Sequence, residues 1–132
     1  MNTILLVEDE TFVRQAMAAA LTSSGYTVLM AADGAQALEA CRNASQPLDL
    51  LVSDMVMPGM NGDDLAKRFQ AMHPPGRVLL MSGYAEELTQ PTCFSSQSSC
   101  LRKPFSVCTL IKAVRELLEA DALVLGTSAG KS

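Results

Sequence analysis

Apolar residues follow two rhythms along this chain, and each change of rhythm marks a structural element. Five short apolar runs read as strands: TILLVE (Thr3 to Glu8), TVLMA (Thr27 to Ala31), LDLLVSD (Leu48 to Asp54), RVLLMS (Arg77 to Ser82) and SCLRK (Ser99 to Lys103), the last the least apolar. Segments of helical period separate most of them. TFVRQAMAAALTSSG sets Val13, Ala16, Met17, Ala20 and Leu21 on one face, and Gly25 is the stop signal. GAQALEACRNA turns Ala37, Leu38 and Cys41 inward, and GDDLAKRFQAMH turns Leu65, Phe69 and Met72 inward before Pro74 and Pro75 end it. SVCTLIKAVRELLEA carries the longest stripe: Val107, Leu110, Ile111, Val114, Leu117 and Leu118.

Strands alternating with helices predict an α/β domain, a doubly wound five-stranded parallel sheet with helices on both faces. Two stretches depart from the rhythm. EELTQPTCFSSQSSC holds Pro91 and a cluster of serines, so residues 86–99 are expected to be irregular and mobile, with at most one or two helical turns between Ala85 and Gln90. The segment from Leu123 to Ser132 ends small and polar, giving a domain over residues 1–122 and a frayed tail over 123–132. Its GTSAGKS falls one residue short of the spacing of a phosphate-binding loop, and no helix follows to cradle a phosphate.

Composition narrows the function classes. The 132 residues suffice for one self-supporting core, and 48% hydrophobic against 18% charged residues is ordinary globular usage. A net charge of -4 without a Lys/Arg run argues against direct nucleic-acid binding. No apolar stretch is long enough for a membrane span and no secretory pattern opens the chain, so a cytoplasmic protein without membrane contact is expected. Cys41, Cys93, Cys100 and Cys108 form no CxxC pair, and His73, the only histidine, is not near them; zinc is excluded on spacing, and buried or free thiols are expected.

The strand ends carry the chemistry. Ligands of an open parallel sheet bind beyond the carboxyl ends of its strands. Glu8 and Asp9 close the first strand, Asp54 the third, Ser82 the fourth and Lys103 the fifth, with Pro104 fixing φ in the loop that carries the lysine. Each taken alone has a bland reading: solvated acids near a helix N-terminus, a turn-capping aspartate, a surface lysine. Together they put three carboxylates, a hydroxyl and an ammonium on one edge. Carboxylates so close repel unless a hard cation joins them, and Mg2+ takes one or two carboxylates while leaving positions for phosphoryl oxygens. Lys103 and Ser82 would contact those oxygens, and Asp54, central in the sheet and next to the turn MVMPGMNG, is the candidate nucleophile for an aspartyl phosphate.

With VEDE, SDMVMPGMNG, MSGY and KPF in this order, the chain resembles the receiver domains of two-component response regulators over roughly Thr3 to Leu118. MVMPGMNG and MSGYAEE look most like receivers at the C-termini of hybrid histidine kinases. The resemblance implies the flavodoxin-like strand order 2-1-3-4-5. It implies that Asp54 takes a phosphoryl group from the phosphohistidine of a histidine kinase or histidine phosphotransfer protein, that Glu8, Asp9, Asp54 and the Val56 backbone carbonyl gather Mg2+, and that Ser82 and Lys103 read the phosphate and switch partner contacts. Such a domain is a self-phosphorylating acceptor that also hydrolyses its own acyl phosphate, not a turnover enzyme. Val56 and Tyr84 beside the acceptor imply slow loss of phosphate.

Departures from the family pattern matter too. Cys100 stands where many receivers carry an aromatic that turns inward on phosphorylation; Tyr84 or Phe94 would have to replace it. Three alternatives are weaker. An aspartyl-phosphate phosphatase of the haloacid dehalogenase kind wants an acid where Val56 stands. A flavodoxin-like flavin binder wants a hydroxyl-rich loop where EDETF stands. An adaptor that never takes up phosphate has no use for the acids and Lys103.

Overall fold

The computed structural model describes residues 2–83 and 97–126, with side chains as far as Glu119. Its elements run β1 (Thr3–Val7), α1 (Thr11–Ser23), β2 (Thr27–Ala31), α2 (Gly34–Asn43), β3 (Leu50–Asp54), α3 (Gly62–Met72), β4 (Arg77–Ser82), β5 (Ser98–Arg102) and α4 (Val107–Gly126). The strands form one parallel sheet in the order β2-β1-β3-β4-β5, as expected.

The near-continuous apolar runs are explained by burial on both faces. Side chains alternate along each strand. Leu5, Val7, Leu51, Val78 and Leu80 therefore join Ala37, Leu38, Leu65 and Phe69 on the α2/α3 side, while Ile4, Leu6, Leu50, Val52, Leu79 and Met81 join Met17, Leu21, Leu110 and Val114 on the α1/α4 side. Truncating any fully buried leucine of this set to alanine is expected to cost about 2–5 kcal/mol.

Helix starts are set by local chemistry. Asp33 accepts from Gln36 N at 2.8 Å at the head of α2, and Asn61 accepts from Asp64 N at 2.8 Å at the head of α3. Gly25 takes φ +99° after α1, a left-handed conformation that ends the helix at little cost.

Three helix faces differ from the sequence reading. On α1 the buried stripe is Met17, Ala18 and Leu21, with Val13 and Ala16 exposed. Alanine is apolar enough to fit either face, so the pattern alone left the rotation of this Ala-rich helix open. On α3, Ala66 is buried and Met72 is 38% exposed, because the helix ends there. On α4, Val107 is exposed at the first turn.

The last helix extends to Gly126, so residues 123–126 of the expected tail are helical; the rest of the tail lies outside the described residues, as do Tyr84, Cys93 and Phe94. Of the segment 86–99, only Gln97, Ser98 and Ser99 are described, and β5 begins at Ser98. The thiol expectation holds for Cys41 and Cys108, which are free, and is corrected at Cys100, which is disulfide-bonded. Compartment sets only a prior; whether thiols meet depends on tertiary proximity. Among the described residues, no helix is long and apolar enough to cross a membrane.

Candidate functional site

Parallel register brings the strand ends into one row. Val7 pairs with Ala31 and Ser53, Asp54 with Met81, and Ser82 with Arg102. The ladder continues one residue beyond the strands, through Glu8 N to Ala31 O at 3.1 Å, Met55 N to Met81 O at 2.8 Å and Lys103 N to Ser82 O at 2.7 Å. Glu8 and Lys103 thus flank Asp54 from opposite sides.

Glu8, Asp9, Glu10, Asp54, Val56, Met81, Gly83 and Lys103 line a cavity of about 270 Å3 at this edge. Glu8 and Asp54 are buried, at 3% and 5% exposure. Carboxylate oxygens of Glu8, Asp9 and Asp54 lie within 4.8 Å of one another, and Lys103 Nζ stands 2.5 Å from Asp54 Oδ1 and 3.7 Å from Glu8 Oε1. Glu8 Oε2 accepts from Glu10 N at 3.1 Å, which leaves Oε1 turned to the cavity. The buried oxygens Asp54 Oδ1 and Glu8 Oε1 both rely on the one ammonium of Lys103, which is within hydrogen-bond reach of the first and beyond it for the second.

Electrostatics follow from this crowding. Burial, contact with the Asp54 carboxyl and the Asp54 charge push Glu8 up to about 7, while the Glu10 N–H and Lys103 oppose the rise. Burial lowers the affinity of Lys103 for its proton, yet the hydrogen bond to Asp54 and the charges of Asp54, Glu8 and Asp9 outweigh it and hold the ammonium above its usual value. Two buried carboxylate oxygens that share one ammonium, beside an exposed third carboxylate, fit a hard divalent cation bound by oxygen, with room for water and phosphoryl ligands.

Backbone packing holds the acceptor. Ser53 Oγ donates to Asp54 O at 3.0 Å, and Gly62 N donates to Met55 O at 2.6 Å. Gly62 is required by this approach: a Cβ there would stand 3.0 Å from Met55 Cα and 3.1 Å from Asp54 C, and would strike the Asp54 carbonyl oxygen. Sequence reasoning missed Gly62, although a glycine eight residues after a strand-end acid and just past an Asn cap is its visible trace.

Of the remaining sequence candidates among the described residues, Val56 lines this cavity and the others do not. Ser82 ends β4 and is buried, but does not line it. Pro104 lines a neighbouring, more apolar cavity of about 430 Å3 between α1 and α4, together with Val13, Met17, Phe105 and Leu110. Cys100 packs against the α2/α3 core, away from the acids. Val56, 63% exposed, offers no acid for a phosphatase mechanism. His73 is a structural residue: its Nδ1 accepts from Leu48 N at 3.2 Å, its Nε2 lies 3.1 Å from Cys41 O, and its ring stacks on Phe69. With both nitrogens engaged, it is unsuited to carry phosphate.

Comparison with known proteins gives the family. Residues 4–115 match the response regulator receiver domain family. The chain is 42% identical over 118 residues to the sensor kinase CckA of Brucella abortus, covering 89% of this chain but only 12% of that protein. It is 33% identical to the response regulator receiver protein CpdR of the same organism, covering 91% of this chain and 99% of CpdR. A crystal structure of the receiver domain of the hybrid histidine kinase CckA superposes with a TM-score of 0.75 at 36% identity, over 89% of this chain and 99% of that one.

Proposed function

The chain belongs to the response regulator receiver family of two-component systems, and we propose that Asp54 is its phosphoacceptor, served by Mg2+ at Glu8, Asp9, Asp54 and the Val56 carbonyl. One observation carries the reading: three carboxylates crowd one sheet edge, two of them buried and sharing a single ammonium, beside a cavity open to a ligand. Structural acids are satisfied internally; these are left with capacity.

In the proposed reaction an Asp54 oxygen attacks phosphorus in line with the bond to the donor histidine nitrogen. The P–O bond forms as the P–N bond breaks, and the electron pair returns to the imidazole. Mg2+ supplies neutralisation of charge on the transferring phosphoryl oxygens. Lys103 gives up its contact with Asp54 and pairs with a phosphoryl oxygen, and Ser82 donates to another. The donor is a histidine kinase or histidine phosphotransfer protein, and we place the exchange in the cytoplasm, within a unit spanning residues 1–122. Closure of Ser82 and Lys103 on the phosphate makes the phosphorylated conformation differ in its contacts, which is what shifts the population toward a partner-binding state. Val56 at the rim supplies no proton acceptor for water, so autodephosphorylation is slow; an acyl-phosphate lifetime of seconds in magnesium buffer contradicts this point.

The test is intact mass after incubation with acetyl phosphate. A gain of about 80 Da with Mg2+ but not with EDTA is expected of an activated carboxylate nucleophile; no gain under either condition refutes the reading. Lys103→Ala is expected to retain some uptake while losing the phosphorylation-dependent change in partner binding.

A further inference from the structure

Arg14 lies outside the acidic cavity, one helical turn into α1, and its guanidinium reaches back to the strand end: Nη1 donates to Glu8 O at 2.7 Å. That carbonyl belongs to the Glu8–Asp9 peptide. A peptide unit is planar and rigid, so a bond that holds its oxygen restrains both flanking Cα atoms, and these bear two of the three carboxylates of the cluster.

Other contacts leave this plane as the free variable. Glu8 N is tied to Ala31 O at 3.1 Å and Glu8 Oε2 to Glu10 N at 3.1 Å. Arg14 meets the carbonyl oxygen from the helix. Arg14 is itself held: its own N–H donates to Glu10 O at 2.9 Å, and it heads the stripe continued by Met17, Ala18 and Leu21, which anchors α1 in the core.

We propose that Arg14 is a positioning residue for the cation site, aiming the Glu8 and Asp9 carboxylates by clamping the peptide between them to the buried face of α1. This rests on the reading of Glu8, Asp9 and Asp54 as the Mg2+ ligands. Groups that orient metal ligands typically matter by 10–100-fold in metal affinity. A guanidinium beside an acidic cluster also repels a divalent cation, so its two effects on Mg2+ have opposite signs, and the sign of the change on removal tells which dominates.

The experiment is calorimetric titration of the full chain with MgCl2, without any phosphodonor, for wild type, Arg14→Ala and Arg14→Lys, with thermal unfolding in EDTA alongside. Arg14→Ala is expected to bind Mg2+ about tenfold more weakly, and Arg14→Lys, which keeps the charge and one donor group, to fall between it and wild type. Unchanged or tighter binding by Arg14→Ala overturns the role of Arg14 while leaving the site reading intact. Wild type that binds no Mg2+ overturns the site reading itself. Should Arg14→Ala fail to fold, Arg14→Lys decides: affinity equal to wild type overturns the proposal, and weakened affinity with an unchanged melting temperature upholds it.

Discussion

Asp49, just before β3, and Asp54, its last residue, sit five residues apart, and their surroundings are opposite in kind. At the amino edge, Asp49 is fully engaged: Oδ2 accepts from Thr3 N at 2.7 Å, its own N–H donates to Thr3 O at 2.9 Å, and its carbonyl accepts from Arg77 N at 2.9 Å. At the carboxyl edge, Asp54 Oδ1 and Glu8 Oε1 are buried and share one ammonium. The amino edge spends its polar groups on closing the fold. The carboxyl edge keeps them for something that arrives, and crowding carboxylates around one ammonium is a cost that the rest of the fold must cover.

The largest expected sign of that difference is a pH dependence confined to the carboxyl edge. Glu8 is raised from 4.5 to about 7, so between those values the folded chain holds a proton that the unfolded chain has released. Stability therefore falls as pH rises from about 4.5 to about 7 and levels off above. Urea unfolding in EDTA at pH 5 and pH 8 measures it. Saturating Mg2+ at pH 8 is expected to restore most of the loss, and Glu8→Gln to remove the slope; equal stability at both pH values contradicts the crowding described.

Next in size is Gly62→Ala. The new Cβ meets backbone rather than a flexible side chain, so the loop after Asp54 has to move, at a cost of about 2 kcal/mol. Mg2+ affinity and phosphoryl uptake are expected to fall together with the melting temperature. A variant as stable and as active as wild type shows that the loop is not held where the packing puts it.

Smallest is Asp49→Ala at the other edge. Losing the bond to Thr3 N on a half-buried site should cost about 1 kcal/mol, with Mg2+ binding and phosphoryl uptake unchanged. A loss of uptake here breaks the division between the two edges.

Much of this was legible because strand ends are. An apolar run that stops in Glu8 and Asp9, or in Asp54, announces both the strand and what lies beyond it, and parallel topology forces such ends to one side. Helix rotation was less legible: Ala16 and Ala18 are equally apolar, and packing chose Ala18. The role of His73 joins it to Cys41 and Leu48, 32 and 25 residues away, and no local pattern encodes such contacts, whereas the approach of Gly62 to Asp54 left only the glycine past the Asn cap as its trace. Arg14 showed only as a charge at the head of a buried stripe.

The most direct measurement is intact mass after acetyl phosphate and Mg2+ for wild type, Asp54→Asn and Asp49→Asn. The account predicts a gain of about 80 Da, the mark of an acyl phosphate on an activated carboxylate, in wild type and Asp49→Asn and none in Asp54→Asn. A gain that survives Asp54→Asn, or is lost in Asp49→Asn, would contradict the assignment of the reactive carboxylate to the unsatisfied edge.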